Sequence, residues 1–89
     1  MDIEFDPVKN EKNLRERGLS FDQAAGFDFS TAKIVEDQRK DYGERRYLAL
    51  GKLGRRVHML VFSETATGIR IISFRKANRR EVKLYETKS

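Results

Sequence analysis

The sequence predicts an α+β domain, a small antiparallel sheet with two helices before it and one after, in the order β-α-α-β-β-β-β-α. Three observations carry this. Helix start and stop signals cluster in residues 6–26 and recur at 78–81, while four β-rich runs separated by glycine-containing turns occupy residues 33–75. The length of 89 residues, with 38% hydrophobic residues, leaves room for one core, so residues 1–89 read as a single domain. No repeat or Pro/Ser-rich linker interrupts it. Without cysteines no disulfide reinforces so small a core, and a partner chain is expected to add stability.

Residues 2–5 form a short first strand. Asp6-Pro7 starts a helix, because Asp accepts hydrogen bonds from the free amides at the N-cap and Pro at the first helical position gives up no needed N–H. The helix runs from Pro7 to about Arg17, where Gly18 supplies a left-handed stop and Leu19 folds back onto the last turn. Val8 and Leu14 are its only large apolar residues, which predicts a surface helix with one narrow buried stripe. Ser20-Phe21-Asp22-Gln23 is a capping box for a second, short helix closed by Gly26, with Leu19 and Ala24 as its hydrophobic staple.

From Ala32 the pattern changes to β runs at Lys33 to Glu36, Arg46 to Leu50, Val57 to Ser63 and Ile69 to Arg75. Residues 51–55 and 65–68 have the length and glycine content of hairpin loops, so consecutive strands are expected to be neighbours. The last two runs are apolar at both parities, as strands covered on both faces are. Residues 36–44 are mixed in charge sign and read as a mobile loop and a poor metal site. Asn78-Arg79-Arg80-Glu81 caps a last helix whose apolar edge is Val82 and Tyr85, with Lys83 and Lys88 outward. The helices are expected on one side of the sheet.

Composition also narrows the chemistry. With one histidine, His58, and no cysteine, neither a His/Cys zinc site nor a paired-histidine ribonuclease mechanism fits within one chain. His58 lies in an apolar strand and reads as structural. No apolar run approaches the roughly 18 residues of a membrane span, and the acidic start lacks a signal-peptide pattern, so a cytoplasmic location is expected. Residues 1–69 hold 12 Lys+Arg against 12 Asp+Glu, whereas residues 70–89 hold 7 against 2, so the whole net charge of +5 lies in the last stretch. Such asymmetry suits a phosphate backbone as partner.

Three stretches, in order, resemble the BrnT toxin family of bacterial type II toxin–antitoxin pairs. They are Phe5-Asp6-Pro7-Val8-Lys9 through Asn13-Leu14 to Gly18-Leu19-Ser20-Phe21 and Ala24; Glu44 through Gly51; and Arg70-Ile71-Ile72-Ser73-Phe74-Arg75-Lys76-Ala77 followed by Glu81 and Tyr85. Arg17 stands where a histidine is usual, so no histidine role carries over, and Phe74 replaces a small residue. The resemblance implies a RelE-like fold and a ribonuclease that cuts RNA without a metal or other cofactor and inhibits translation. It also implies neutralisation in a hetero-oligomer by a cognate, BrnA-like antitoxin, with DNA met only through that DNA-binding partner.

Metal-independent RNA cleavage needs a base for the 2′-hydroxyl, cations for the phosphorane and a proton for the leaving 5′-oxygen. Arg70 and Arg75 are the expected charge stabilisers because a strand holds them. Five positions apart, they point to opposite faces of a regular strand, and only a bulge or strand end unites them. Glu64, at a strand end, reads either as base or as a turn residue paired with a lysine. Tyr85 either donates a proton or stacks on a base, or else belongs to the core. Lys76, Arg79 and Arg80 are expected on RNA phosphates, with Arg46 and Lys9 as further contacts; Lys9 and Asn13 share a helix face and reach either a phosphate or solvent. The competing class is a non-catalytic nucleic-acid-binding or protein-interaction module.

Overall fold

The computed structural model describes residues 1–87; Lys88, read above as outward-facing, lies outside the described residues. Strand β1 (Asp2–Glu4) leads into helix α1 (Pro7–Arg17), two 3₁₀ helices (Phe21–Gly26 and Phe29–Thr31), strands β2 (Lys33–Glu36), β3 (Tyr47–Leu53), β4 (Arg56–Glu64) and β5 (Gly68–Lys76), and helix α2 (Arg79–Glu86). The five strands form one sheet in the order β1-β5-β4-β3-β2. Strands β2 to β5 form the expected antiparallel meander, and β1 adds to β5 in parallel, which makes the sheet mixed. Among the described residues no helix is long and apolar enough to cross a membrane.

The local signals act as expected. Asp6 accepts from Val8 N, Gly18 ends α1 with φ 65°, and the boxes at Ser20/Gln23 and Asn78/Glu81 are both closed. The second helix is 3₁₀ rather than α, in keeping with its single short turn pair. Strand β3 runs on to Leu53, so the loop expected over 51–55 shrinks to a two-residue turn at Gly54-Arg55.

Sheet parity sorts two cores. One face buries Phe21, Ala24 and Leu19 against Ala49, Leu60, Phe62, Ile71 and Phe74. The other buries Leu50, Val57 and Ala77, with Met59, Val82 and Tyr85 packed on them. Helix α2 therefore covers the face opposite the 3₁₀ helix, and the expectation of all helices on one side is corrected. It follows from the alternation of β3, which offers Ala49 to one side and Leu50 to the other.

Two further corrections concern polar anchors. The apolar stripe of α1 is not buried: Val8 is 72% and Leu14 49% exposed. The helix is held instead by Asn10 Oδ1, which accepts from Phe21 N (2.7 Å), and by Asn13 Nδ2, which donates to Leu19 O and Phe74 O (both 2.9 Å). Likewise the 36–44 segment is pinned, because the buried Asp37 carboxylate accepts from Arg39 Nε and Nη2 (both 2.8 Å) and from the Tyr42 hydroxyl (3.0 Å). The Arg39 hydrogen bonds hold this carboxyl well below the usual carboxylate range.

Candidate functional site

The pairing of β5 with β4 decides where the arginines point. Arg70 faces Ser63 and Ile71 faces Phe62, but Ser73, not Ile72, faces Val61, and Arg75 faces Met59. Ile72 is the extra residue of a β-bulge, and the alternation resumes with shifted parity. Arg70, Ser73 and Arg75 thus share the face that α2 partly covers, where a regular strand would divide them. Their β4 partners are four positions apart, about 13 Å along the strand.

Arg75 is the more rigid of the two. Its guanidinium makes a two-pronged pair with Glu81 at 2.8 and 2.9 Å, and Glu81 also accepts from Asn78 N at 2.9 Å. One carboxylate therefore caps α2 and ties it to β5. The Arg75 hydrogen bonds, against some desolvation, hold the Glu81 pKa below its usual value. Beside this pair, Arg17, Leu19, Arg75 and Lys76 line a cleft of about 290 Å³. Arg17 had no assigned role, yet the left-handed stop at Gly18 brings it next to Arg75.

Arg70 is half exposed and lies between two carboxylates, Glu4 Oε2 at 3.6 Å and Glu44 Oε2 at 3.9 Å. Strand β1 delivers Glu4 by its register, Glu4 against Arg70. Glu44 also approaches Arg46 Nε at 3.7 Å, and the Arg46 guanidinium lies 4.2 Å from the centre of the Tyr42 ring. Arg46 Nε is buried and lacks a hydrogen-bond partner among the described residues. The pinned 37–46 segment thus sets Tyr42, Glu44 and Arg46 at the same end of the face as Arg70.

Other expected site residues lie elsewhere. Glu64 pairs with Ile69, whose side chain is in the larger core, so Glu64 projects from the opposite face and does not meet Arg70 or Arg75. Tyr85 packs on the smaller core with its hydroxyl 3.4 Å from Thr31 Oγ1. Lys9 lines a shallow depression of about 190 Å³ with Lys12, Arg17, Ile72 and Ser73, while Asn13 is engaged in backbone contacts. Lys76, Arg79 and Arg80 are exposed where β5 passes into α2. His58 is structural: its buried ring donates from Nδ1 to Arg56 O at 2.8 Å, and burial lowers its pKa. The reading of residues 51–55 as a plain loop missed three cations, Lys52, Arg55 and Arg56, which the β3–β4 turn sets beside α2. Their spacing without an intervening acid was the available signal.

The chain is similar to known proteins at two levels. It resembles in fold the crystal structure of the Brucella abortus ribonuclease toxin BrnT, with a TM-score of 0.69 over 89% of this chain and 99% of that one, at 24% sequence identity. Among curated proteins none matches significantly. The family model described as the ribonuclease toxin BrnT of type II toxin–antitoxin systems matches residues 5–81, from the strand-to-helix entry through the arginine-bearing strand to Glu81. A match over that much of the molecule, with the bulged strand inside it, makes this chain a member of the BrnT ribonuclease toxin family.

Proposed function

We propose that this protein is a metal-independent endoribonuclease toxin whose reacting phosphate lies on the sheet face bearing Arg70 and Arg75. The observation that carries the reading is the bulge at Ile72, which unites the two guanidinium groups on one face. In the reaction the RNA 2′-oxygen attacks the adjacent phosphorus, the bond from phosphorus to the 5′-oxygen breaks, and a 2′,3′-cyclic phosphate and a free 5′-hydroxyl result. Arg70 and Arg75 stabilise the doubly negative phosphorane, their guanidinium groups turning from Glu4, Glu44 and Glu81 toward a phosphate bound between them. Glu44, between Arg70 and Arg46, takes the 2′-hydroxyl proton; Glu64 faces away and is not needed. Tyr85 is left to packing, and water protonates the leaving oxygen. Lys76, Arg79, Arg80, Lys9 and Arg46 draw in the RNA backbone.

In the cell, this activity inhibits translation in the cytoplasm until a cognate antitoxin binds the toxin in a hetero-oligomer; a BrnA-like partner then brings DNA contact. The test is cleavage of RNA by purified protein in excess EDTA, beside Arg70→Ala, Arg75→Ala, Glu44→Gln and Glu64→Gln. Loss of one charge stabiliser is expected to slow cleavage by roughly 100-fold or more, and Glu44→Gln to slow it far more than Glu64→Gln. Absence of cleavage by folded wild-type protein, or full activity in both arginine variants, would leave a non-catalytic binder.

A further inference from the structure

Five cations, Lys52, Arg55, Arg56, Arg79 and Lys83, surround a groove of about 560 Å³ between the β3–β4 turn and α2. Glu86 is the one acid on its rim, and among the described residues none of the five has a carboxylate oxygen within 4 Å. By contrast Arg39 pairs with Asp37, Arg75 with Glu81, and Arg70 with Glu4 and Glu44. The groove instead gathers five cations without such partners around one concavity. The backbone that carries Lys52, Arg55 and Arg56 is fixed, because the β3–β4 turn is two residues long and its flanks, Leu53 and Arg56, are paired. Like charges fixed around one concavity repel, and an anion with several charges at regular spacing relieves that repulsion.

We propose that this groove is a binding site for the phosphodiester backbone of single-stranded RNA, outside the reacting centre; this rests on the nuclease reading above. Ala77 in its wall follows Arg75 and Lys76 directly, so the groove continues from the end of the arginine face. A strand lying across Arg70 and Arg75 leaves the sheet past Ala77 and enters between the turn and α2. The chemistry of the lining favours nucleic acid over an acidic protein. Protein interfaces are anchored by buried aromatic or large aliphatic side chains and are poor in lysine at their centres. This groove has only Val57, Ala77 and Val82 beneath a rim of lysines and arginines. The predicted role is substrate grip.

The test uses the full chain and a fluorescein-labelled single-stranded RNA with 2′-O-methyl groups, which binds but is not cut. Anisotropy titrations at several salt concentrations compare wild type with Lys52→Gln/Arg55→Gln/Arg56→Gln, with the fold of each checked by circular dichroism melting. Each single-strand phosphate contact contributes about −0.7 to the slope of log K against log salt, so the triple variant should flatten it by about 2. It should also bind at least tenfold more weakly, and on cleavable RNA KM should rise much more than kcat falls. Equal affinity and slope in variant and wild type overturn the proposal. So does a variant that loses only binding to a polyglutamate peptide, which would assign the groove to an acidic protein. A wild type that binds with the expected slope but cuts no RNA removes the nuclease reading and leaves the groove standing, whereas cleavage with unaltered KM in the variant removes the groove alone.

Discussion

Asn13 holds a part of β5 that β1 does not reach. Strand β1 pairs only with Gly68, Ile69 and Arg70, and farther along, the Asn13 amide donates to Phe74 O and to Leu19 O. One side chain thus joins α1, the 3₁₀ segment and the arginine-bearing strand. Asn13→Ala leaves both carbonyls short of a donor and is expected to cost about 2 kcal/mol; a urea denaturation midpoint equal to wild type would show that water replaces the amide. From the sequence, Asn13 read as one of a pair with Lys9 facing phosphate or solvent. That reading failed because the acceptors are backbone carbonyls, and only the fold determines which carbonyl a helix passes. Arg75 was legible as a rigid arginine, while its partner Glu81 was visible only as half of a capping box.

At the scale of elements, α2 is tied down by the ionised form of Glu81. Its pKa is depressed in the folded protein, so the stabilisation is complete above the ordinary value of 4.5 and is lost as pH falls through the lower folded value. Thermal melts across that acid range are expected to lose stability in wild type and to lose less in Glu81→Gln, which begins from a lower plateau; parallel profiles would refute the assignment. Strand β1 depends on a different residue. A Cβ at Gly68 would sit 1.9 Å from Asp2 O, so the parallel pairing requires glycine there. Gly68→Ala should expel β1, withdraw Glu4 from Arg70 and expose the amides of residues 2–4 to rapid hydrogen exchange; unchanged protection would mean that β1 tolerates the methyl group. The elements themselves were legible because caps, the left-handed Gly18 and the β runs are local signals. The parallel addition of β1 was not, since nothing within residues 2–5 specifies a partner more than sixty positions away.

At the scale of the molecule, the sheet separates a larger core, whose largest nearly inaccessible side chains are Phe21, Phe74, Leu60 and Ile71, from a smaller one under α2. Helix α2 has no fully buried residue of its own. Native-state hydrogen exchange should therefore show α2 opening at lower free energy than β4 and β5, and α2 protection equal to the global unfolding value would contradict this. The charge asymmetry along the chain, the element order and the identity of Arg70 and Arg75 as strand-held cations were determined by the sequence alone, because charge, capping and periodicity act over a few residues. Tertiary structure alone decided that those arginines share a face, that Glu64 points away while Glu44 stands beside Arg70, and that a basic turn lies beside the basic helix. The arginine face and the position of Glu64 rest on strand register, and one extra residue at Ile72 reverses every side chain beyond it.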